Sequence, residues 1–193
     1  MHVRLVAGLG NPGPEYEGTR HNVGFAVVDR LAGDAGFSVK RLDCRALTGR
    51  GRIENEAVVL AKPATYMNAS GEAVVALLKK LELTAEDLLV VSDDIDLPVG
   101  ALRLKPKGSS GGQKGLRSIE SALGTKEFPR LRVGIRGEHY TRDNELSDYV
   151  LDRFSRSERP TIDAAVTRAA DAVRAWLTEG IVAAMNRFNA ISE

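Results

Sequence analysis

The residues best suited to chemistry lie within the first 24 positions, where a polar loop follows an apolar stretch that ends at Gly8. This loop contains the amide of Asn11 and the imidazole of His21. Imidazole titrates near neutral pH and serves as a general base, whereas a neutral amide binds carbonyl oxygens or water without titrating. Pro12 and Pro14 fix the backbone and stiffen the loop. A stiff polar loop after a buried strand indicates a functional site. A lone histidine is more often structural than catalytic, but the polar neighbours of His21 make the two roles equally compatible with the sequence.

Three acids, Asp93, Asp94 and Asp96, follow the apolar run 88–92. Clustered carboxylates at a strand end can bind Mg²⁺, form an acidic turn, or hold a histidine in one tautomer by accepting a hydrogen bond from its ring. The sequence leaves these three alternatives open.

Two short motifs suggest other chemistry, and the context of each counts against it. Residues 8–13 match the G-x-G-x-x-G of dinucleotide-binding proteins, but two prolines obstruct the helix that must begin near the second glycine. Residues 108–112 match the G-x-S-x-G of serine esterases, with His139 later in the chain. The strand before Ser110 is basic and contains Pro106, whereas an esterase needs a buried central strand there. We therefore predict a glycine–serine loop that caps the next helix and faces an anion.

Length and composition predict one domain spanning residues 1–193. Cys44 is the single cysteine, which excludes an internal disulfide and favours a reducing compartment. Neither a signal-peptide pattern nor a long apolar run is visible, so we expect a cytoplasmic protein without a membrane span.

Charge is distributed unevenly although the net charge is only +1. Six acids and no base occur from Glu82 to Asp96, and five bases and no acid occur from Arg103 to Arg117. Such a basic run can be a solvated face, but beside a polar loop it also suggests an anionic ligand.

The apolar periodicity predicts alternating strands and helices. We expect strands near 3–8, 39–48, 57–61, 88–93, 101–105 and 131–136. We expect helices near 23–36, 68–82 and 112–123, an amphipathic helix ending at Gly180, and a short last helix. The polar segment 137–148 is predicted to be a mobile flap. This alternation indicates an α/β fold, a twisted sheet with helices on both faces.

Several long motifs, in the same order, resemble bacterial peptidyl-tRNA hydrolases over the whole chain. They are GLGNPGPEY at 8–16, TRHNVG at 19–24, KPATYMN-x-SG at 62–71, the acids Asp93 and Asp96 followed by Leu-Pro-x-Gly, GSSGG at 108–112, and AMNRF at 184–188. The resemblance implies hydrolysis of the ester between a peptide and the 3′ ribose of tRNA. It also implies one α/β domain with a mixed sheet, a monomer, and neither metal nor organic cofactor.

The resemblance also implies roles for individual residues. His21 matches the catalytic histidine, Asp93 the acid that orients it, and Asn11 an amide that holds water and substrate. The other expected substrate- and tRNA-binding residues are Tyr16, Tyr66, Met67, Asn68, Arg103, Lys105, Lys114 and Arg132. Members of the family commonly have His-Asn where this chain has Gln113-Lys114, so the role of that asparagine does not transfer to Lys114. Two rival hypotheses are a catalytically silent RNA-binding relative and an esterase that uses Ser110.

Overall fold

The computed structural model describes residues 2–141, 143 and 145–189, which form one seven-stranded β-sheet flanked by six α-helices. The strands are β1 (Val3–Gly8), β2 (Arg41–Asp43), β3 (Ala46–Ile53), β4 (Glu56–Pro63), β5 (Leu88–Pro98), β6 (Leu102–Lys105) and β7 (Arg130–Arg136). The helices are α1 (Val23–Ala35), α2 (Ser70–Lys80), α3 (Lys114–Leu123), α4 (Leu146–Leu151), α5 (Arg159–Glu179) and α6 (Ile181–Phe188).

The sheet is mixed, with the strand order β2-β3-β4-β1-β5-β7-β6. The four central strands β4, β1, β5 and β7 are parallel, whereas β2, β3 and β6 pair antiparallel at the two edges. The predicted α/β class with a mixed sheet is therefore confirmed.

Helices cover both faces because the residues of the central strands alternate between two apolar cores. In β5, Leu89 and Val91 face the core built with α1 and α5, and Leu88 and Val90 face the core built with α2 and α3. Strands buried on both faces explain why the run 88–91 is continuously apolar and does not alternate with polar residues.

The topology places a crevice at the carboxyl ends of β1 and β5. After β1 the chain passes through α1 toward one edge of the sheet, and after β5 it passes to β6 at the other edge before α3 leads back to β7. Adjacent strands whose connections diverge leave a crevice between them, which is where open α/β sheets bind ligands. Gly24 brings α1 close to this point, since a Cβ there would lie 2.5 Å from Leu9 N and Val91 O.

One of the expected strands is wrong in detail. The strand expected at 39–48 is two strands, because Cys44 and Arg45 turn the chain with φ of 48° and 60°. The expected flap at 137–148 includes the beginning of α4, whereas residues 142 and 144 lie outside the described part. Within the described ranges, no helix combines the length and apolar character needed to cross a membrane.

Candidate active site

His21 and Asp93 form a buried hydrogen-bonded pair at the carboxyl edge of the sheet. His21 lies in a short 3₁₀ turn, Arg20–Asn22, directly before α1, and Asp93 lies in β5. The distance from His21 Nδ1 to Asp93 Oδ2 is 2.8 Å, and the two residues are 8% and 3% exposed. A carboxylate can only accept, so Nδ1 carries the proton and Nε2 keeps a lone pair that can accept another. This is the protonation state that a general base requires.

Asn11 is held beside this pair by hydrogen bonds at both of its carbonyl oxygens and at its backbone N–H. Its backbone N donates to Asn22 Oδ1 at 2.8 Å, and Asn22 Nδ2 donates back to the carbonyl of Asn11 at 3.0 Å. Its side-chain Oδ1 accepts from Met67 N at 2.7 Å. The amide orientation is thereby fixed, and Nδ2 has no partner within the described ranges. Asn11 therefore presents a donor to a molecule in the crevice.

The crevice forms a cleft of about 330 Å³ at this point. Its polar lining includes Asn11, His21, Asn68, Asp93, Gln113 and Lys114. Residues from the loop after β1, the end of β5 and the start of α3 meet here although they are far apart in sequence.

One wall of the cleft is apolar and was not expected from the sequence. It consists of Ile95 and, from α4, Leu146, Val150 and Leu151. Leu146 is 45% exposed and Leu151 is 39% exposed, which is high for leucine. Exposed apolar side chains beside a polar site indicate a surface that is covered when a ligand binds.

The loop 108–112 contributes Ser110, Gly111 and Gly112 to the lining of the cleft, and two arginines of β7 donate hydrogen bonds to its backbone. Arg132 donates to the carbonyls of Ser109 and Ser110 at 3.0 and 2.7 Å and pairs with Asp94 at 3.2 Å. Arg130 is fully buried and also donates to the Ser109 carbonyl, and this burial lowers the pKa of its guanidinium. Arg132 therefore anchors the loop, in addition to lining the cleft.

The acidic cluster divides into separate roles. Asp93 bonds His21, whereas Asp94 pairs with Arg132 and accepts from the backbone N of Asp96 at 2.8 Å. Of the three alternatives for these acids, the structure places Asp93 in the position that holds a histidine. In the described part of the chain, no group of three or more His, Cys, Asp or Glu side chains has the arrangement of a metal site.

Aromatic and amide side chains surround the mouth of the cleft. Tyr66 is 62% exposed, Met67 is buried, and the exposed Asn68 follows them in a 3₁₀ turn that leads into α2. Tyr16 packs edge-on against Tyr66, with ring centroids 6.5 Å apart, and lies outside the cleft lining.

Comparisons with known proteins agree with this geometry. The sequence profile of the family described as peptidyl-tRNA hydrolase matches residues 5–193. A peptidyl-tRNA hydrolase from Dehalococcoides mccartyi is 50% identical over 189 residues, 97% of this chain and 100% of the relative. One from Brevibacillus brevis is 48% identical over 191 residues, 99% of this chain and 100% of the relative. The chain belongs to the peptidyl-tRNA hydrolase family.

Solved structures support the same assignment. The crystal structure of peptidyl-tRNA hydrolase from Acinetobacter baumannii superposes with a TM-score of 0.90 at 38% identity, and covers 97% of this chain and 95% of that one. Membership in the peptidyl-tRNA hydrolase family confirms the expected activity, hydrolysis of an ester bond in peptidyl-tRNA.

The basic residues expected to meet tRNA occupy different settings in this peptidyl-tRNA hydrolase family member. Arg103 and Lys105 are exposed on the edge strand β6, and Arg103 lies directly opposite Arg132 in the antiparallel register. Lys114 is exposed as the first residue of α3 and lines the cleft. These three side chains can reach a phosphate, whereas most donors of Arg132 are already used within the protein.

The alternative chemistries lack the contacts that they require. Ser110 lines the cleft, but no hydrogen bond joins it to a histidine within the described ranges, and His139 lies outside the lining. The first α-helix after the G-x-G-x-x-G motif begins at Val23, 13 positions beyond its second glycine, so its N-terminus cannot serve that motif.

Two further residues support the site in ways that the sequence does not predict. Gln113 bonds Asp93, as described below. Arg20 is 7% exposed. Its guanidinium donates a hydrogen bond to the Arg153 carbonyl at 2.7 Å and forms an ion pair with Glu158 at 2.8 Å. The same group lies 4.3 Å from the ring centroid of Tyr149. Burial raises the pKa of Glu158, but hydrogen bonds from Ser155 and the Arg20 charge outweigh it and lower that pKa. Arg20 thus ties the turn that contains His21 to the start of α5.

Proposed function

We propose that His21 is the general base of peptidyl-tRNA hydrolysis and that Asp93 orients it. The observation that carries this proposal is the buried bond from Nδ1 to the carboxylate, which leaves Nε2 as an acceptor on a cleft. Water gives a proton to Nε2 as its oxygen attacks the carbonyl carbon of the ester. Asp93 stabilises the imidazolium that forms.

The tetrahedral intermediate then collapses and the ester C–O bond breaks. The leaving 3′ oxygen of the ribose takes the proton back from Nε2, so the free tRNA and the peptide carboxylic acid form and His21 returns to its starting state. Asn11 Nδ2 donates to the developing oxyanion or to the attacking water, and Asn68 assists at the mouth of the cleft. Fixed neutral donors suit this role because they stabilise charge without titrating.

We propose that the acceptor arm of tRNA lies along β6 and the start of α3. Arg103, Lys105 and Lys114 are exposed there and contact phosphates, whereas Tyr16, Tyr66 and Met67 shape the entrance for the 3′ end. We also propose that the chain acts as a single-domain monomer in the cytoplasm and uses neither metal nor cofactor. Sedimentation of the protein with and without tRNA tests whether it is a monomer.

The decisive experiment replaces His21 by Ala and measures turnover of peptidyl-tRNA together with tRNA affinity. We expect kcat to fall about 10²–10⁴-fold, the usual contribution of a positioned acid–base group, with tRNA binding almost unchanged. Ser110→Ala is the matched control because Ser110 lines the same cleft without bonding His21.

The two rival hypotheses give different results. Near-normal turnover in His21→Ala together with loss of turnover in Ser110→Ala would establish the esterase. Wild-type protein that binds tRNA without any turnover would establish the silent RNA-binding relative.

A further inference from the structure

Gln113 connects the N-terminus of α3 to the carboxylate of the His21–Asp93 pair. Its side-chain Oε1 accepts from Leu116 N at 2.7 Å and caps the helix, and its Nε2 donates to Asp93 Oδ1 at 3.0 Å. The other oxygen of Asp93 bonds His21. One continuous hydrogen-bonded chain therefore runs from the helix end to the imidazole.

The orientation of the Gln113 amide is determined by its surroundings. A flipped amide would place Nε2 against the N–H of Leu116, and two donors cannot bond each other. Nε2 also lies 3.3 Å from the sulfur of Met67. A Cβ on Gly115 would lie 2.5 Å from that sulfur and 3.1 Å from Gln113 Oε1, so the absence of a side chain at Gly115 permits this packing.

These contacts constrain how Asp93 can turn. A carboxylate bonded at one oxygen can still rotate about its last torsion, whereas bonds at both oxygens fix its plane. The amide of Gln113 also withdraws part of the negative charge that Asp93 would otherwise direct at His21, because hydrogen bonding to the charged form stabilises that form.

We propose that Gln113 is a positioning residue for hydrolysis, which acts through Asp93 on the orientation of His21. It has no chemical role of its own, since its amide neither gains nor loses a proton. This inference rests on the proposed role of His21 as the base.

Within the described ranges, five other charged or titratable side chains line the cleft that contains this carboxylate. His21 faces it from the turn before α1, and Lys114 is exposed at the start of α3. Asp94, the residue after Asp93 in β5, forms an ion pair with Arg132 of the neighbouring strand β7, and the phenol of Tyr66 is at the mouth of the cleft. Gln113 is thus the neutral donor at Oδ1.

The test compares Gln113→Ser and Gln113→Glu with wild type, using peptidyl-tRNA turnover as a function of pH. Serine still caps a helix but is too short to reach Asp93, and glutamate keeps the cap while it replaces the donor by an acceptor. We expect kcat to fall about 10- to 100-fold in both variants, as when the partner of an orienting carboxylate is lost. KM should remain within about twofold of wild type, because the RNA-binding residues are untouched.

The pH profile separates positioning from mere support of the fold. In Gln113→Ser, the full charge of Asp93 acts on the imidazolium and favours it, so the acidic limb of kcat should move upward by about half a pH unit. Ser118→Ala is the control, since it removes another hydrogen bond of α3, from Gly71 N at 2.9 Å, at a distance from the cleft. The Ser118→Ala variant should leave both kcat and the acidic limb of its pH profile unchanged.

An unchanged kcat and acidic limb in a folded Gln113→Ser protein would overturn the inference, as would an equal loss in Ser118→Ala. If Gln113→Ser does not fold, Gln113→Glu decides by the same criterion. Full activity of His21→Ala would instead overturn the proposed function itself, so the two failures are distinguishable.

Discussion

Replacing Asp93 by Asn should lower kcat far more than the similar size of the two side chains indicates. Asp93 accepts at both oxygens, from His21 Nδ1 at 2.8 Å and from Gln113 Nε2 at 3.0 Å. An asparagine has one acceptor and one donor group, so it can match only one of these partners. Because Gln113 is held as a donor by the helix cap, the asparagine oxygen must face Gln113 and its NH₂ must face the imidazole.

The consequence is a change of tautomer. An NH₂ opposite Nδ1 requires that nitrogen to accept, which moves the ring proton to Nε2 and removes the lone pair that takes the proton of water. We expect kcat to fall about 10²–10⁴-fold with KM nearly unchanged, as for other histidine bases in the wrong tautomer. Single-turnover hydrolysis of peptidyl-tRNA measures the loss, and ¹⁵N NMR of the imidazole reports the tautomer.

The double variant Asp93→Asn with Gln113→Ser tests this reasoning. Without the Gln113 donor the asparagine can rotate and offer its oxygen to Nδ1, so part of the lost kcat should return even though each single change is harmful. Such non-additivity is expected for residues that are in contact or that share one hydrogen-bond network. Losses that simply multiply, or an Asp93→Asn enzyme that keeps more than about a tenth of wild-type kcat, would refute the argument.

Other predictions follow from the charged groups. Lys114→Ala should weaken tRNA binding and reduce the slope of affinity against salt by about one contact, with a modest change in kcat, and an unchanged slope would make Lys114 a solvated surface residue. Lys105→Glu should raise KM more than it lowers kcat, whereas salt-insensitive binding would contradict a phosphate contact. Excess chelator should leave the rate of the enzyme unchanged, and a requirement for an enzyme-bound divalent ion would overturn the proposed role of Asp93. Because the pKa of Glu158 is lowered in the folded protein, its carboxylate stabilises the fold above the ordinary pKa of glutamate, and this stabilisation is lost as the pH falls through the lowered value. The Tm of Glu158→Gln should therefore lie below that of wild type at neutral pH and approach it in acid.

The sequence predicts the elements whose signals are local. The first strand is found at the expected residues because an apolar run ends abruptly at a glycine, and α1 is found because its apolar face repeats every three to four residues. The turn between β2 and β3 was missed because Cys44 and Arg45 adopt left-handed backbone angles without a glycine to signal it. Helix α4 has only six residues, too few for periodicity to be visible.

The site could be predicted only in part, for a related reason. His21 and Asn11 were recognisable because a stiff polar loop after a strand is itself informative. That Asp93, and neither Asp94 nor Asp96, bonds the imidazole depends on which face of β5 each side chain occupies, and this follows from pairing with distant strands. Gln113 was identified as a departure from the family pattern, but its bond to Asp93 joins two elements 20 positions apart.

The link between Arg20 and the start of α5 has a consequence for the order in which the enzyme becomes active during synthesis. Asn11, His21, Asp93 and Gln113 have all been synthesised by position 113, yet the turn that holds His21 is anchored through Arg20 to backbone and side-chain groups between 152 and 158. A nascent chain that lacks this last part carries the reactive groups without the support that aligns them. An enzyme that cleaves peptides from tRNA is itself attached to tRNA while it is made, and the contacts that anchor its His21 turn can form only after residues 152–158 have been synthesised.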